Sequence, residues 1–396
     1  MNKTQFYFPF AYLLMAGGLF LSFRGRDTDD PSLKIPDLEW ADEKDSHQIK
    51  NHSPRIQIAL LLDSSGSMEG LLDQAKAQLW KMVNELATTK QNGQSPEIEI
   101  GLFQHGRDAI SDGGYMTKHS DLTTDLDRVS ELLFAFNIEG SEEYGPLAIY
   151  RSVDELKWSD SPDDLKIIII AGNELFQQGP VEATAACKKA IKKGIIINTI
   201  FCGDNAEGRK MGWKEVAECA YGQFLVIDQN EKITYISSPY DDKIDSLNTL
   251  LNKTYIGYGS LGDEKMMNQS AQDINASSYG KANAANRAKT KATATYKNAE
   301  WDMVDAIKED AQFLDKLKEE ELPEEMKKMN AEERKNYLTM MESQRSALQA
   351  QILQTDKLRE SWLAAQIKDM SSASTLDKVM LDALTKQAAE KKFIKD

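Results

Sequence analysis

The sequence is short of the residues that would commit it to several common roles. Only three cysteines occur in 396 residues, Cys187, Cys202 and Cys219, too few for a disulfide framework. The four histidines, His47, His52, His105 and His119, include no pair at metal-binding spacing. His47 and His52 fall in a charged stretch, and His105 and His119 are expected at the surface near a sheet edge. A glycine-rich phosphate loop is missing, and so is a Gly-x-Ser-x-Gly nucleophile elbow. No catalytic set stands out, and the chain reads as non-enzymatic. Basic charge is also short, with 48 Lys and Arg against 63 Asp and Glu, a net charge of −15. That speaks against nucleic-acid binding and favours a soluble surface or basic partners.

Long apolar runs are nearly missing too. The exception is Phe6–Phe23, with Lys3 before it and Arg24 and Arg26 after it. The run is long for a signal peptide and short for a span, and Pro9 weakens a spanning helix. Residues 1–23 are therefore expected to be a signal peptide or a membrane anchor. The expected location is the periplasm or cell envelope, with membrane contact only through this segment. In an oxidising compartment Cys187 could pair with Cys202; the alternative is three buried thiols acting as small hydrophobes.

What is present begins after residue 54. Residues 24–54 are charged, contain Pro31, Pro36 and Pro54, and read as a flexible linker. Ile56–Leu62, Lys166–Ala171 and Ile195–Phe201 are strands that are apolar on both faces. Glu97–Gln104 alternates as a strand, and Gln223–Asp228 is a last one. Between them, Leu71–Leu86, Leu126–Phe136, Leu147–Trp158, Val181–Lys193 and Trp213–Ala220 read as helices, and Asp241–Leu251 closes the unit. This pattern predicts an α/β domain over 55–255, a doubly wound, mostly parallel sheet covered on both sides. Residues 256–298, rich in Ala and Asn, read as a connector, either a solvated helix or flexible chain. Residues 299–396 read as an α-helical region. There Asn330 and Glu333 resemble a capping box opening a helix to about Met370, followed by Leu376–Lys392. A short turn between the two suggests a long helical hairpin. Arg345 and Arg359 interrupt the apolar positions and argue against an uninterrupted coiled coil. Trp301, Tyr337 and Trp362 are expected as core anchors.

Asp63-Ser64-Ser65-Gly66-Ser67 follows the first strand directly. A carboxylate and two hydroxyls, each two residues apart, offer three oxygens to a hard divalent cation. Parallel sheets bind ligands beyond the carboxyl ends of their strands. Gly172 and Asn173 end a later strand, so the two loops should meet at one edge.

This Asp-x-Ser-x-Ser run, on an alternating strand and helix scaffold, resembles the von Willebrand factor A domain and its metal-ion-dependent adhesion site. The resemblance covers roughly residues 55–255. It implies that Asp63, Ser65 and Ser67 form the first metal-binding loop. The ion it implies is magnesium, with manganese or calcium as alternatives, and a coordination position is left open for a carboxylate of a protein partner. The family's second loop supplies a threonine; here Ser141 could supply the hydroxyl, or Glu142 or Glu143 a carboxylate. The family's third loop supplies an aspartate, and here Gly172 stands in its place. Asn173 could offer a neutral oxygen, and Glu174 could swing in. Such a site carries less charge, holds its cation more weakly and leaves it more electrophilic. The runs Ala171-Gly172-Asn173-Glu174 and Asn198-Thr199-Ile200-Phe201-Cys202-Gly203 look like a bacterial subfamily of exported A-domain proteins. Its members carry a helical extension with a segment like Glu321-Leu322-Pro323-Glu324-Glu325. The expected function is an exported binding protein with a partly degenerate metal site. The alternative is a structural envelope protein whose interactions run through the C-terminal helices. Those helices would oligomerise, dock a partner or brace the sheet. A metal-dependent hydrolase would need a general base beside the ion, and only the glutamates could serve.

Overall fold

The structure is a computed structural model that describes residues 53–66, 68–110, 114–138, 140, 143–227, 236–367 and 376–395. The expected leader at 1–23 lies outside them, as does nearly all of the linker. Among the described residues no helix is long and apolar enough to cross a membrane.

The first part of the chain runs β1 (Arg55–Asp63), α1 (Glu69–Ala87), β2 (Thr89–Lys90), β3 (Glu97–Ile110), β4 (Gly114–Thr123), α2 (Leu126–Phe134), α3 (Gly145–Glu155) and β5 (Leu165–Gly172). It continues through α4 (Ala183–Lys192), β6 (Ile196–Cys202), α5 (Asn205–Lys210), α6 (Trp213–Cys219) and β7 (Phe224–Ile227). Six of these strands form one sheet in the order β4-β3-β1-β5-β6-β7. All neighbours are parallel except the β3–β4 pair.

Alternation explains the continuous apolar runs of β1 and β5. Ile56, Ile58, Leu60 and Leu62 face one core with Leu165, Ile167 and Ile169. Ala59 and Leu61 face the other with Ile168 and Ile170. Both faces are covered, so neither can be polar. The first core is roofed by α1 and α2, through Leu72, Leu79, Met82 and Val129. The second is roofed by α3, α4 and α6, through Ile149, Val153, Ala186 and Val216.

After β7 the chain builds a helical layer: α7 (Asp241–Asn252), α8 (Gly262–Ser278), α9 (Lys281–Lys291), α10 (Met303–Glu309), α11 (Ala331–Ile367), α12 (Leu376–Glu390) and the short β8 (Ile394–Lys395). The segment expected as a connector is instead two packed helices. In α9 eight residues are buried, among them Ala285, Arg287, Ala288 and Lys291. Small alanines let α1 and α7 approach closely, and buried partners satisfy the polar groups. Arg287 bonds Asp127 at 2.7 Å and Asp273 at 2.5 Å, while its guanidinium lies 4.6 Å over the Trp80 ring.

The capping box forms as expected, with Asn330 N donating to Glu333 Oε2 at 2.8 Å and Glu333 N to Asn330 Oδ1 at 3.0 Å. The helical hairpin does not. α11 packs on α7, α9 and α10, whereas α12 packs on α1 and β7. The cause is in the apolar positions: Leu384 and Ala388 of α12 complete the sheet core, while Ile352 of α11 joins Ile244, Leu251 and Trp301. Arg345 and Arg359, which would interrupt a coiled coil, are buried against Asp302 at 2.5 Å and Asp241 at 2.8 Å. β8 then pairs antiparallel with β2.

Candidate metal centre

The candidate site lies at the carboxyl edge of the sheet, where β1 ends. Asp63 is opposite His105 of β3 in the parallel register and is fully buried. The turn after it is tied to β3, because Ser64 N and Ser64 Oγ both donate to the His105 carbonyl, at 2.9 and 3.1 Å. Ser65 N donates to Asp63 Oδ1 at 2.7 Å. Ser65 Oγ lies 3.2 Å from Asp63 Oδ2 and 3.0 Å from Glu143 Oε1. A hydroxyl has one hydrogen to share between those two carboxylates.

Glu143, in the loop leading into α3, is 4% exposed. Neither carboxylate forms a salt bridge among the described residues. Burial, reinforced by the charge of Glu143, pushes the Asp63 carboxyl up to about 9. Burial raises Glu143 as well.

Gly106, at φ +83°, shows how closely the backbone passes. A Cβ there would stand 2.0 Å from Asp63 Oδ1, so only glycine leaves room for the carboxylate. Gly172, at the end of β5, is similarly confined. A Cβ there would lie 3.3 Å from Glu143 Oε2 and 3.0 Å from the Trp213 ring. The Glu143 carboxylate therefore packs where a side chain at 172 would project. Trp213 is held in turn by Phe176, with ring centroids 4.9 Å apart, and by an indole bond to the Glu174 carbonyl at 2.7 Å.

The structure brings Asp63, Ser65 and Glu143 together. Asn173 follows β5 directly at the same edge and is half-buried. Ser67, Ser141 and Glu142 lie outside the described residues. Gly106 was missed in the sequence; it lies inside β3, two residues past the strand expected at Glu97–Gln104. His105, expected at the surface, is 1% exposed, because it projects onto the same covered sheet face as Asp63. Burial holds its imidazole down at about 4, so it is neutral at pH 7.

The disulfide expectation also needs correcting. Cys187 bonds Cys219, joining α4 to α6, and Cys202 is a buried free thiol. Cys187 and Cys202 lie in the cores on opposite faces of the sheet, so they cannot meet. Burial raises the Cys202 thiol.

A parallel sheet with one antiparallel edge strand, whose first and central strand delivers Asp-x-Ser-x-Ser to its carboxyl edge, is the α/β fold expected from the resemblance to a von Willebrand factor A domain. The chain is similar to several solved structures. One is the conserved hypothetical protein BatB from Bacteroides thetaiotaomicron, at 17% identity and TM-score 0.34, over 44% of this chain and 90% of that one. Another is an aerotolerance-related membrane protein from Bacteroides fragilis, at 16% and 0.31, over 44% and 92%. A third is proximal thread matrix protein 1 from the mussel byssus, solved with a zinc-occupied MIDAS motif, at 14% and 0.33, over 44% and 42%. No family model matches the chain, and no curated protein does.

Proposed function

We propose that this chain is an exported, non-enzymatic binding protein. Asp63, Ser65, Ser67 and Glu143 would hold a divalent cation, with Ser141 and Asn173 reaching it directly or through water. The cation would supply an open position for a carboxylate of a protein partner. The observation that carries this reading is the pair of buried carboxylates around one serine hydroxyl. Two such groups in low dielectric repel unless a proton or a cation joins them.

The spacing fits the group. An octahedral magnesium with ligands at about 2.0–2.1 Å separates neighbouring oxygens by roughly 3 Å, and the Ser65 hydroxyl stands 3.0 and 3.2 Å from the two carboxylates. Oxygen donors suit magnesium, manganese or calcium, and the preference for magnesium rests on few protein ligands with waters between. No group of three or more His, Cys, Asp or Glu side chains that could hold a metal occurs among the described residues; in this reading the Ser65 and Ser67 hydroxyls would complete the ligation. Glu143 supplies the second carboxylate that the third loop, with Gly172, does not.

Export is supported by the Cys187–Cys219 bond, which persists in an oxidising compartment, and by the apolar run at Phe6–Phe23. We assign bracing, not oligomerisation, to the helical layer, because Ile352, Leu348 and Leu353 of α11 face α7 and α9 of the same chain. The reading is tested by calorimetry. Magnesium should bind the wild type and fail to bind Asp63→Ala, and partner capture should be lost in chelator. A wild type that takes up no divalent cation at roughly millimolar concentration would sink it.

A further inference from the structure

Beside the candidate metal centre one buried amide ties three segments together. Gln104 of β3 is 2% exposed. Its Nε2 donates to Ser64 Oγ at 2.8 Å and to the Asn137 carbonyl at 3.0 Å. Its Oε1 lies 2.7 Å from His119 Nε2. The amide thus joins the turn between Asp63 and Ser65, the loop that leads from α2 toward Glu143, and the edge strand β4. A carbonyl can only accept, so Asn137 fixes which end of the amide faces it. The amide oxygen is left to His119, whose Nε2 must carry a hydrogen. That nitrogen donates whether the imidazole is neutral or charged, so the contact survives protonation.

The local structure is shaped for this contact. The register of β4 on β3 steps from Leu102 opposite Ser120 to Phe103 opposite Lys118. His119 is therefore the extra residue of a bulge, a feature that re-aims a side chain. Its ring packs on Phe136, with centroids 4.6 Å apart. Ser64 passes the restraint on. Its N and Oγ both hold the His105 carbonyl, and its chain neighbours are Asp63 and Ser65.

We infer that Gln104 is the positioning residue of the Asp63–Ser65 turn, and that His119 orients it. Neither side chain is a ligand. Gln104 holds the turn in shape before a cation arrives, so less order has to be gained on binding. The effect on the cation rests on the reading of Asp63 and Ser65 as its ligands; the order of the turn does not.

Two measurements on the full chain separate these. Hydrogen exchange in chelator reads the turn without a cation. Gln104→Met should speed exchange over residues 62–66 about tenfold, the size of roughly one lost hydrogen bond, and leave β5 unchanged. His119→Phe should act in the same direction, and His119→Gln, which restores a donor, should return close to wild type. Calorimetry with magnesium should show the same order. Gln104→Met should weaken binding about tenfold, at the low end for residues that orient metal ligands. Wild-type exchange over 62–66 in both Gln104→Met and His119→Phe overturns the inference. So does unchanged magnesium affinity in Gln104→Met, or a His119→Gln variant no better than His119→Phe. A wild type that takes up no magnesium sinks the metal reading alone, and exchange then decides whether Gln104 positions the turn.

Discussion

In the helical layer Arg287 lies between Asp127 and Asp273, Arg345 against Asp302 and Arg359 against Asp241. At the sheet edge Asp63 and Glu143 face each other across a serine hydroxyl. All are buried acids, but among the described residues only the first set is paired with basic side chains. Burial works to raise Asp273, and Arg287 with Lys291 overcomes it, so that carboxylate is held well below the usual range. Burial raises Asp63 too, and the neighbouring carboxylate adds to the rise. The helical acids are closed structural pairs. The edge acids have no basic partner among the described residues, and the proposed cation would supply one.

Breaking a closed pair should show the largest effect. Arg345→Met leaves Asp302 without its partner and should cost about 3–5 kcal/mol in urea unfolding; a cost below about 1 kcal/mol, the level of an exposed pair, would erase the distinction. At the open edge the effect should be conditional. Magnesium at a hundred times its dissociation constant should add about 2.7 kcal/mol, and Glu143→Gln should lose most of that gain. The third contrast concerns sign more than size. In chelator the raised Asp63 contributes stability that is present below its unfolded pKa, near 3.9, and is lost as pH rises toward 9. The depressed Asp273 contributes stability present above that same unfolded value and lost as pH falls. Unfolding midpoints measured against pH for Asp63→Asn and Asp273→Asn should therefore depart from wild type at opposite ends of the range.

The sheet was legible because its strands are covered on both faces, so Ile56–Leu62 and Lys166–Ala171 read as unbroken apolar runs. β4 was not legible. It is an edge strand carrying Lys118, His119 and Asp121, and edge strands tolerate charge. Part of the proposed metal loop could be read, because Asp63 and Ser65 stand two residues apart and sit together in the structure. Glu143 was only one of three candidates, since loop approach across the sheet is not written in local spacing. α9 was hidden for a related reason: its burial rests on ion pairs with Asp127 and Asp273, which are distant in sequence. The cysteine pairing failed on geometry, because sequence distance says nothing about which sheet face a thiol occupies.

The clamp formed by α12 and β8 has a consequence for how the protein is made. Thr385 Oγ1 bonds Glu85 Oε1 at 2.6 Å, and Gln91 Nε2 bonds the Lys391 carbonyl at 2.7 Å, contacts that each span 300 residues. α1 is among the first elements to leave the ribosome, yet part of its apolar surface stays bare until those late residues arrive. At roughly 5–20 residues per second the wait is on the order of 15–60 s. During it the nascent chain presents a sticky, half-roofed sheet, and a holding chaperone would bind there before the last helix closes over it.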